Sequence, residues 1–195
     1  MANNYEQKII FGMDNIMVAK MKEDGTYETP VAILGAKACE CSYESKETVF
    51  RADNKAVYTN KRVSSGTGKL STLGLTNSEK ALLTGNPDVG GFVLDANATA
   101  PKFALIFKND KADGGALYHV LYNVTFSVPQ IKATSTEEQA EENVTEIDFT
   151  SLTNSIEVDG AKKDLFYYSV DTKDATANAD VISGFFTSVQ TPKKK

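Results

Sequence analysis

The residues able to do chemistry are few: one histidine, His119, and two cysteines, Cys39 and Cys41. Ser–His–acid catalysis would have to use His119 as its base. In an extended chain that residue shares a face with Leu117 and Leu121, so it reads as a packed or interfacial histidine. Cys39 and Cys41 fall on one face of a strand. Their Cα atoms would lie roughly 6.5–7 Å apart, at the limit for a disulfide, and parallel Cβ vectors make bonding worse. They read as two reduced thiols filling a core face. Two thiols and one distant imidazole do not make a zinc set. With 26 acidic residues some carboxylates will be neighbours by chance, so carboxylate pairs diagnose nothing. The expectation is a chain with no catalytic group, no metal and no cofactor, and so not an enzyme.

Gly66-Thr67-Gly68-Lys69 invites a nucleotide-binding reading. A phosphate loop needs G-x-x-x-x-G-K-[S/T], because several backbone amides wrap the phosphates and the hydroxyl meets magnesium. Here Val63 stands where the first glycine belongs, and Leu70 follows Lys69. A glycine-rich bend leading into a strand is the expectation. The Asn-x-Thr triplets at Asn97, Asn123 and Asn143 carry no weight without a secretion signal.

The elements that hold these residues are mostly strands. Ala116 to Val128 reads ALYHVLYNVTFSV, with Tyr118, Val120, Tyr122, Val124, Phe126 and Val128 on one face of a long strand. Lys102 to Phe107 alternates in the same way, and Asp113-Gly114 marks the hairpin between the two. Ala38 to Tyr43 is a further strand. Glu44 to Arg62 is charged and polar, with apolar islands at Val49-Phe50 and Val57-Tyr58 around a turn at Asp53-Asn54, and reads as a projecting hairpin arm. A helix is predicted from Thr76 to Gly85: Thr76 and Glu79 have capping-box spacing, and Gly85 supplies a stop. Ile147 and Phe149 return the chain to a sheet, Asp159-Gly160 is a turn, and Leu165 to Val170 is another strand. Asp174 to Ser188 is predicted helical, with Val181, Ile182, Phe185 and Phe186 on one side. Thr134 to Asn143 is acidic and reads as a solvated loop or short helix. Both termini are predicted flexible.

The composition fits one domain over residues 1–195. Hydrophobic residues are 41% and charged residues 24%, enough apolar material for a core. A net charge of -5 argues against a general DNA-binding surface. No apolar run reaches the length of a membrane span, and the start MANNYEQKII has no signal-peptide pattern. The expectation is a chain that stays in a cytosol or leaves it by a signal-free route.

Several segments in order resemble the major tail protein of long-tailed phages, in the family named after a protein of the staphylococcal phage phi13. They are Phe11-Gly12-Met13-Asp14-Asn15-Ile16, Tyr27-Glu28-Thr29-Pro30-Val31, and Ala52-Asp53-Asn54 followed by Val57-Tyr58. Asn77 to Gly85 with Gly90-Gly91 continues the series, as do Phe103 to Phe107 and the run Tyr122 to Pro129. Together they cover roughly residues 9 to 190.

The resemblance implies an antiparallel β-sandwich with a flanking α-helix, mainly β in an α+β setting, like a phage tail tube. It implies a structural subunit that closes into hexameric rings stacked as the conduit for DNA ejection. Its partners would be other copies, a tape measure protein, and tail terminator or distal tail proteins, with duplex DNA passing unbound and no membrane. Its place would be the virion, after assembly in the bacterial host cytoplasm. A relative that caps or joins the tube, a glycan- or surface-binding β-sandwich module, and a small enzyme with an unfamiliar site remain alternatives. Subunit-contact candidates are Val49, Phe50, Val57, Tyr58, Tyr118, Tyr122, Val124 and Phe126. Tyr118 and Tyr122 also read as core or as a sugar-binding platform. Lumen-facing candidates, on the argument that a DNA conduit repels phosphate, are Asp110, Asp113, Glu146, Asp148 and Asp164.

Overall fold

The structure is a computed structural model that describes residues 5–131 and 144–193. The acidic stretch Thr134 to Asn143, predicted as a loop or short helix, therefore lies outside the described residues. The fold is mainly antiparallel β with two short helices, a sandwich with a flanking helix. The strands are β1 (Ile10–Lys20), β2 (Val31–Ala32), β3 (Ala36–Ala52), β4 (Lys55–Thr72), β5 (Phe103–Lys111), β6 (Ala116–Phe126), β7 (Thr145–Ser151), β8 (Asn154–Val158), β9 (Ala161–Leu165) and β10 (Tyr167–Asp171). The main sheet runs β2-β1-β5-β6-β7-β4-β3, with β10 also on β6, and β8 and β9 form a separate hairpin.

The predicted helix is present as α1 (Asn77–Thr84). The Thr76 hydroxyl accepts from the Glu79 amide, the Glu79 carboxylate accepts from the Thr76 amide, and Gly85 closes the helix in the left-handed region. These are short-range interactions, so the sequence window alone specifies them. The second helix is shorter than the Asp174–Ser188 pattern predicts: α2 spans only Ala179–Gly184. The Asn178 side chain caps it by accepting from the Asp180 and Val181 amides, and the residues before it form turns.

The central pair, β5 with β6, is apolar on both faces. One core joins Phe103, Leu105, Leu121, Val124 and Phe126 to Leu70, Ile147, Phe149 and Leu83 of the covering strands and α1. The other joins Ala104, Ile106, Val120 and Tyr122 to Ile156, Val170, Val181 and Phe185. This corrects the predicted single apolar face of Ala116 to Val128. Tyr118, Val120 and Tyr122 pack toward the second core, whereas Val124 and Phe126 pack toward the first.

Asn123 makes the change of phase. It sits at φ 50°, and the β5–β6 register slips by one residue between Phe103↔Val124 and Leu105↔Leu121. An extra residue in a strand moves everything beyond it to the other face. β6 also changes partner at this point. Leu117 to Leu121 pair with β10, and Val124 to Phe126 pair with β7. The predicted strand Leu165 to Val170 is likewise two strands, because the chain leaves β8 and joins β6 at Phe166.

Gly66 and Gly68 lie inside β4 rather than at a bend before it. Gly68 pairs with Phe149, and a Cβ there would stand 2.3 Å from both the Phe149 ring and the Glu40 carbonyl oxygen. Gly66 pairs with Tyr43, whose ring would stand 2.8 Å from a Cβ. The glycines are the floor on which two aromatic rings of the neighbouring strands rest.

Candidate assembly surface

The β3–β4 ladder is far longer than the strands of ordinary domains. Its first part, Ala36 to Tyr43 against Gly66 to Thr72, rests on the body. There Cys39 and Cys41 pack against the first core as free thiols, and burial pushes Cys39 up to about 12. Beyond Glu44 the ladder leaves the body: no residue from Glu44 to Val63 is buried. It stays paired to its tip, with bulges at Glu44–Ser45 and beside Phe50, and its turn is locally encoded. Asp53 and Asn54 both take positive φ, 50° and 59°, the pair of conformations a two-residue hairpin turn needs.

The tip carries an apolar cluster. Phe50 stands opposite Tyr58 with ring centroids 5.8 Å apart. Val49, Phe50, Val57 and Tyr58 are 41%, 55%, 62% and 59% exposed, too much for side chains that a hairpin of its own could shelter. Arg51, Lys55, Lys61 and Arg62 surround them, all exposed or nearly so.

The other contact candidates of the sequence are placed elsewhere. Tyr122, Val124 and Phe126 are at most 2% exposed and form the chain's own core, so they present no surface to a partner. The Tyr122 hydroxyl donates to the Gln190 carbonyl at 2.7 Å. Tyr118 packs edge-on against Phe186 and beside Phe185 of the second core. The alternation that singled them out came from burial on both faces of β6.

The acidic candidates separate into four places. Glu146 and Asp148 share an exposed face of β7, with Glu146 2.9 Å from Lys69 Nζ. Asp110, at the end of β5, lies 3.4 Å from Lys108 Nζ, and Asp14 approaches the same lysine at 3.3 Å. Asp164 accepts from the Ser155 hydroxyl across the β8–β9 hairpin. Asp113 differs from the rest. Its side chain is 9% exposed, accepts from the Gly115 amide at 2.9 Å and lies 3.3 Å from Lys111 Nζ. The Gly115 amide, with Lys111 beside it, holds the Asp113 carboxyl below the usual carboxylate range.

Lys111 was not singled out by the sequence. It ends β5 with a side chain 4% exposed, paired to Asp171 and Asp113, and Asp171 raises its pKa. Lys173 Nζ donates to the Asp113 carbonyl at 2.8 Å, so this cluster pins the β5–β6 turn to the end of β10. No short-range pattern marks it, because Asp171 and Lys173, which complete the cluster, lie about sixty residues on.

His119 is 8% exposed, stacked on Phe107 with centroids 4.7 Å apart and on Tyr167 at 5.8 Å. Its hydrogen bond goes to the Tyr167 hydroxyl, and among the described residues no serine–carboxylate pair stands against it. Among the described residues no group of three His, Cys, Asp or Glu side chains is placed to hold a metal ion, and no helix is long and apolar enough to cross a membrane.

No protein-family model and no curated protein matches the chain. Among solved structures it is similar to the tube-terminating cap of the anti-feeding prophage, with a TM-score of 0.41 and 12% identity over 87% of this chain and 99% of that one. A likeness at this level assigns neither a fold family nor a role.

Proposed function

We propose that the chain is a structural subunit of a phage tail tube, one that closes into hexameric rings and stacks them into the conduit for DNA ejection. The observation that carries this reading is the unsupported β3–β4 arm, with its exposed Phe50–Tyr58 pair and valines. Apolar clusters on a projecting hairpin call for a partner surface. The sequence resemblance to major tail proteins makes that partner another copy.

The sheet edges agree with self-association. Among the described strands β3 pairs only with β4, leaving a 17-residue open edge. At the other end of the sheet, β2 covers only Met17 and Val18 of β1, leaving Ile10 to Asp14 open. Open edges invite pairing with another chain, and head-to-tail pairing of unlike edges closes a ring when the rotation permits.

On this reading the role is structural rather than catalytic, and the location is the virion after assembly in the host cytoplasm. A tape measure protein and tail terminator or distal tail proteins are the further partners. The exposed acids Asp110, Glu146, Asp148 and Asp164 are the lumen candidates, and Asp113 is the weakest because Lys111 covers it.

Negative-stain microscopy and sedimentation of the purified protein over a wide concentration range test the proposal. Sixfold rings and tubes are expected. Single rings that never stack would indicate a capping or joining relative. A monomer at every concentration that binds host polysaccharide would overturn the reading in favour of a glycan-binding module.

A further inference from the structure

We infer that Lys111 and Asp171 react with each other to form a covalent amide that staples the end of β5 to the end of β10, with Asp113 shuttling the protons. The inference stands on this cluster and does not depend on the tube reading.

The three side chains bring together an amine, a carboxyl carbon and a second carboxylate. Lys111 Nζ, on a side chain 4% exposed, donates to Asp171 Oδ2 and lies 3.3 Å from Asp113 Oδ2. A backbone amide holds each carboxylate by its other oxygen. Asp171 Oδ1 accepts from the Lys173 amide at 2.9 Å, and Asp113 Oδ1 accepts from the Gly115 amide at 2.9 Å. Asp113 Oδ2 is buried with no hydrogen-bond partner among the described residues, so it is free to take a proton from the amine beside it.

The backbone holds the reacting groups in place. The Lys111 amide donates to the Gly115 carbonyl, and the Gly114 amide donates to the Lys111 carbonyl. Asp171 stands opposite Leu117 in the β6–β10 pairing, and the Thr172 hydroxyl accepts from the Ala116 amide. Groups fixed in contact react as if at very high concentration. The desolvation cost of burying an ammonium among carboxylates can exceed their attraction. An amide removes one charge of each sign from the cluster.

The step balances without an oxidant or a co-reactant. The Lys111 ammonium first gives a proton to Asp171 Oδ2, which leaves a neutral amine and a neutral carboxyl group. The Nζ lone pair attacks the Asp171 carboxyl carbon, and the carbonyl electron pair moves onto Oδ1, where the Lys173 amide receives the developing charge. Asp113 takes a proton from Nζ and returns it to Oδ2 as the carbon–Oδ2 bond breaks. One water leaves, and Asp113 ends as the carboxylate it began as. Asp171 is 30% exposed, which gives that water a way out. Because Asp171 raises the Lys111 pKa, the neutral amine is the minor form and the reaction is slow. It needs to occur only once in the life of each chain. The product joins residues 60 positions apart across β6.

Mass spectrometry of the denatured full chain tests this. The wild-type mass should fall short of the sequence mass by one water. Trypsin should fail to cut after Lys111, giving a branched peptide that joins residues 109–132 to 164–173. Lys111→Arg and Asp171→Ala should each be recovered without the water loss. Asp113→Ala, shown to be folded by circular dichroism, should link at least about a hundredfold more slowly. A wild-type chain at its full sequence mass would overturn the inference, and that measurement needs no variant to fold. So would a water loss that maps to a linear peptide at Asp113-Gly114 or Asp159-Gly160, since a succinimide there loses one water as well. An Asp113→Ala chain that links as fast as wild type would overturn the shuttle role.

Discussion

His119 and Tyr167 share a hydrogen bond across the β6–β10 pairing, with 2.5 Å between Nδ1 and the phenolic oxygen. The imidazole is stacked between Phe107 and Tyr167, and its Nε2 is buried with no partner among the described residues. Burial lowers its pKa from 6.5 to about 4. The folded chain therefore holds this group neutral, and the unfolded chain takes up the proton first as pH falls. Its contribution is complete above the unfolded value and is lost as pH drops through about 4, by up to roughly 3 kcal/mol. His119→Phe keeps a stacked ring and removes the titration. Urea midpoints measured near neutral pH and near pH 4.5 should fall further for wild type than for the variant. Equal falls would mean that carboxylates carry the acid sensitivity.

The phase change at Asn123 is open to a second test. The residue holds a left-handed conformation at φ 50°, and its Nδ2 donates to the Thr153 carbonyl at 2.7 Å, while its own carbonyl accepts from the Leu152 amide. Asn123→Gly keeps the backbone conformation and gives up the side-chain hydrogen bond, for about 1 kcal/mol. Asn123→Val adds a β-branched side chain where φ is positive and should cost about 2–3 kcal/mol. Denaturant titration should rank wild type above the glycine variant and the glycine variant above the valine one. A valine variant as stable as wild type would show that β6 can run without its bulge.

What could be read in advance follows from how far apart the deciding residues are. Thr76 and Glu79 cap α1 across three positions, and Asp53-Asn54 shapes its own turn, so short windows contained both. Asn123 is different. It bulges because β6 must leave β10 and join β7, and those strands arrive more than twenty residues later. Strict alternation over Ala116 to Val128 hid this, since both faces of the strand are buried and either phase supplies apolar side chains. The exposed arm was legible from its low apolar density, whereas Lys111 was not: a lysine ending a strand gives no sign that an aspartate sixty positions on will cover it. The cavity beyond the end of β4 combines Leu73, Phe92, Leu94 and Val128 from three separate segments, and only folding assembles it.

The two glycines of Gly66-Thr67-Gly68-Lys69 give the last test, which separates packing from ligand binding. At Gly68 a methyl group would meet the Glu40 carbonyl and the Phe149 ring, both at 2.3 Å, and the first is backbone that cannot swing aside. At Gly74, just beyond the end of β4, nothing lies within 4 Å. Gly68→Ala should therefore cost about 1–3 kcal/mol through overpacking between β3 and β7. Gly74→Ala should stay within about 0.5 kcal/mol of wild type. Gly66→Ala should fall between them, because the Tyr43 ring it meets is a side chain with some room to turn. Thermal melts of the three variants check the order. Nucleotide with magnesium should shift none of the melting temperatures, since the amides of Gly66 to Lys69 lie in a strand paired to β3 and β7 rather than in a phosphate-wrapping loop. A nucleotide-dependent rise in wild type that Gly68→Ala abolished would contradict the packing role assigned to this segment.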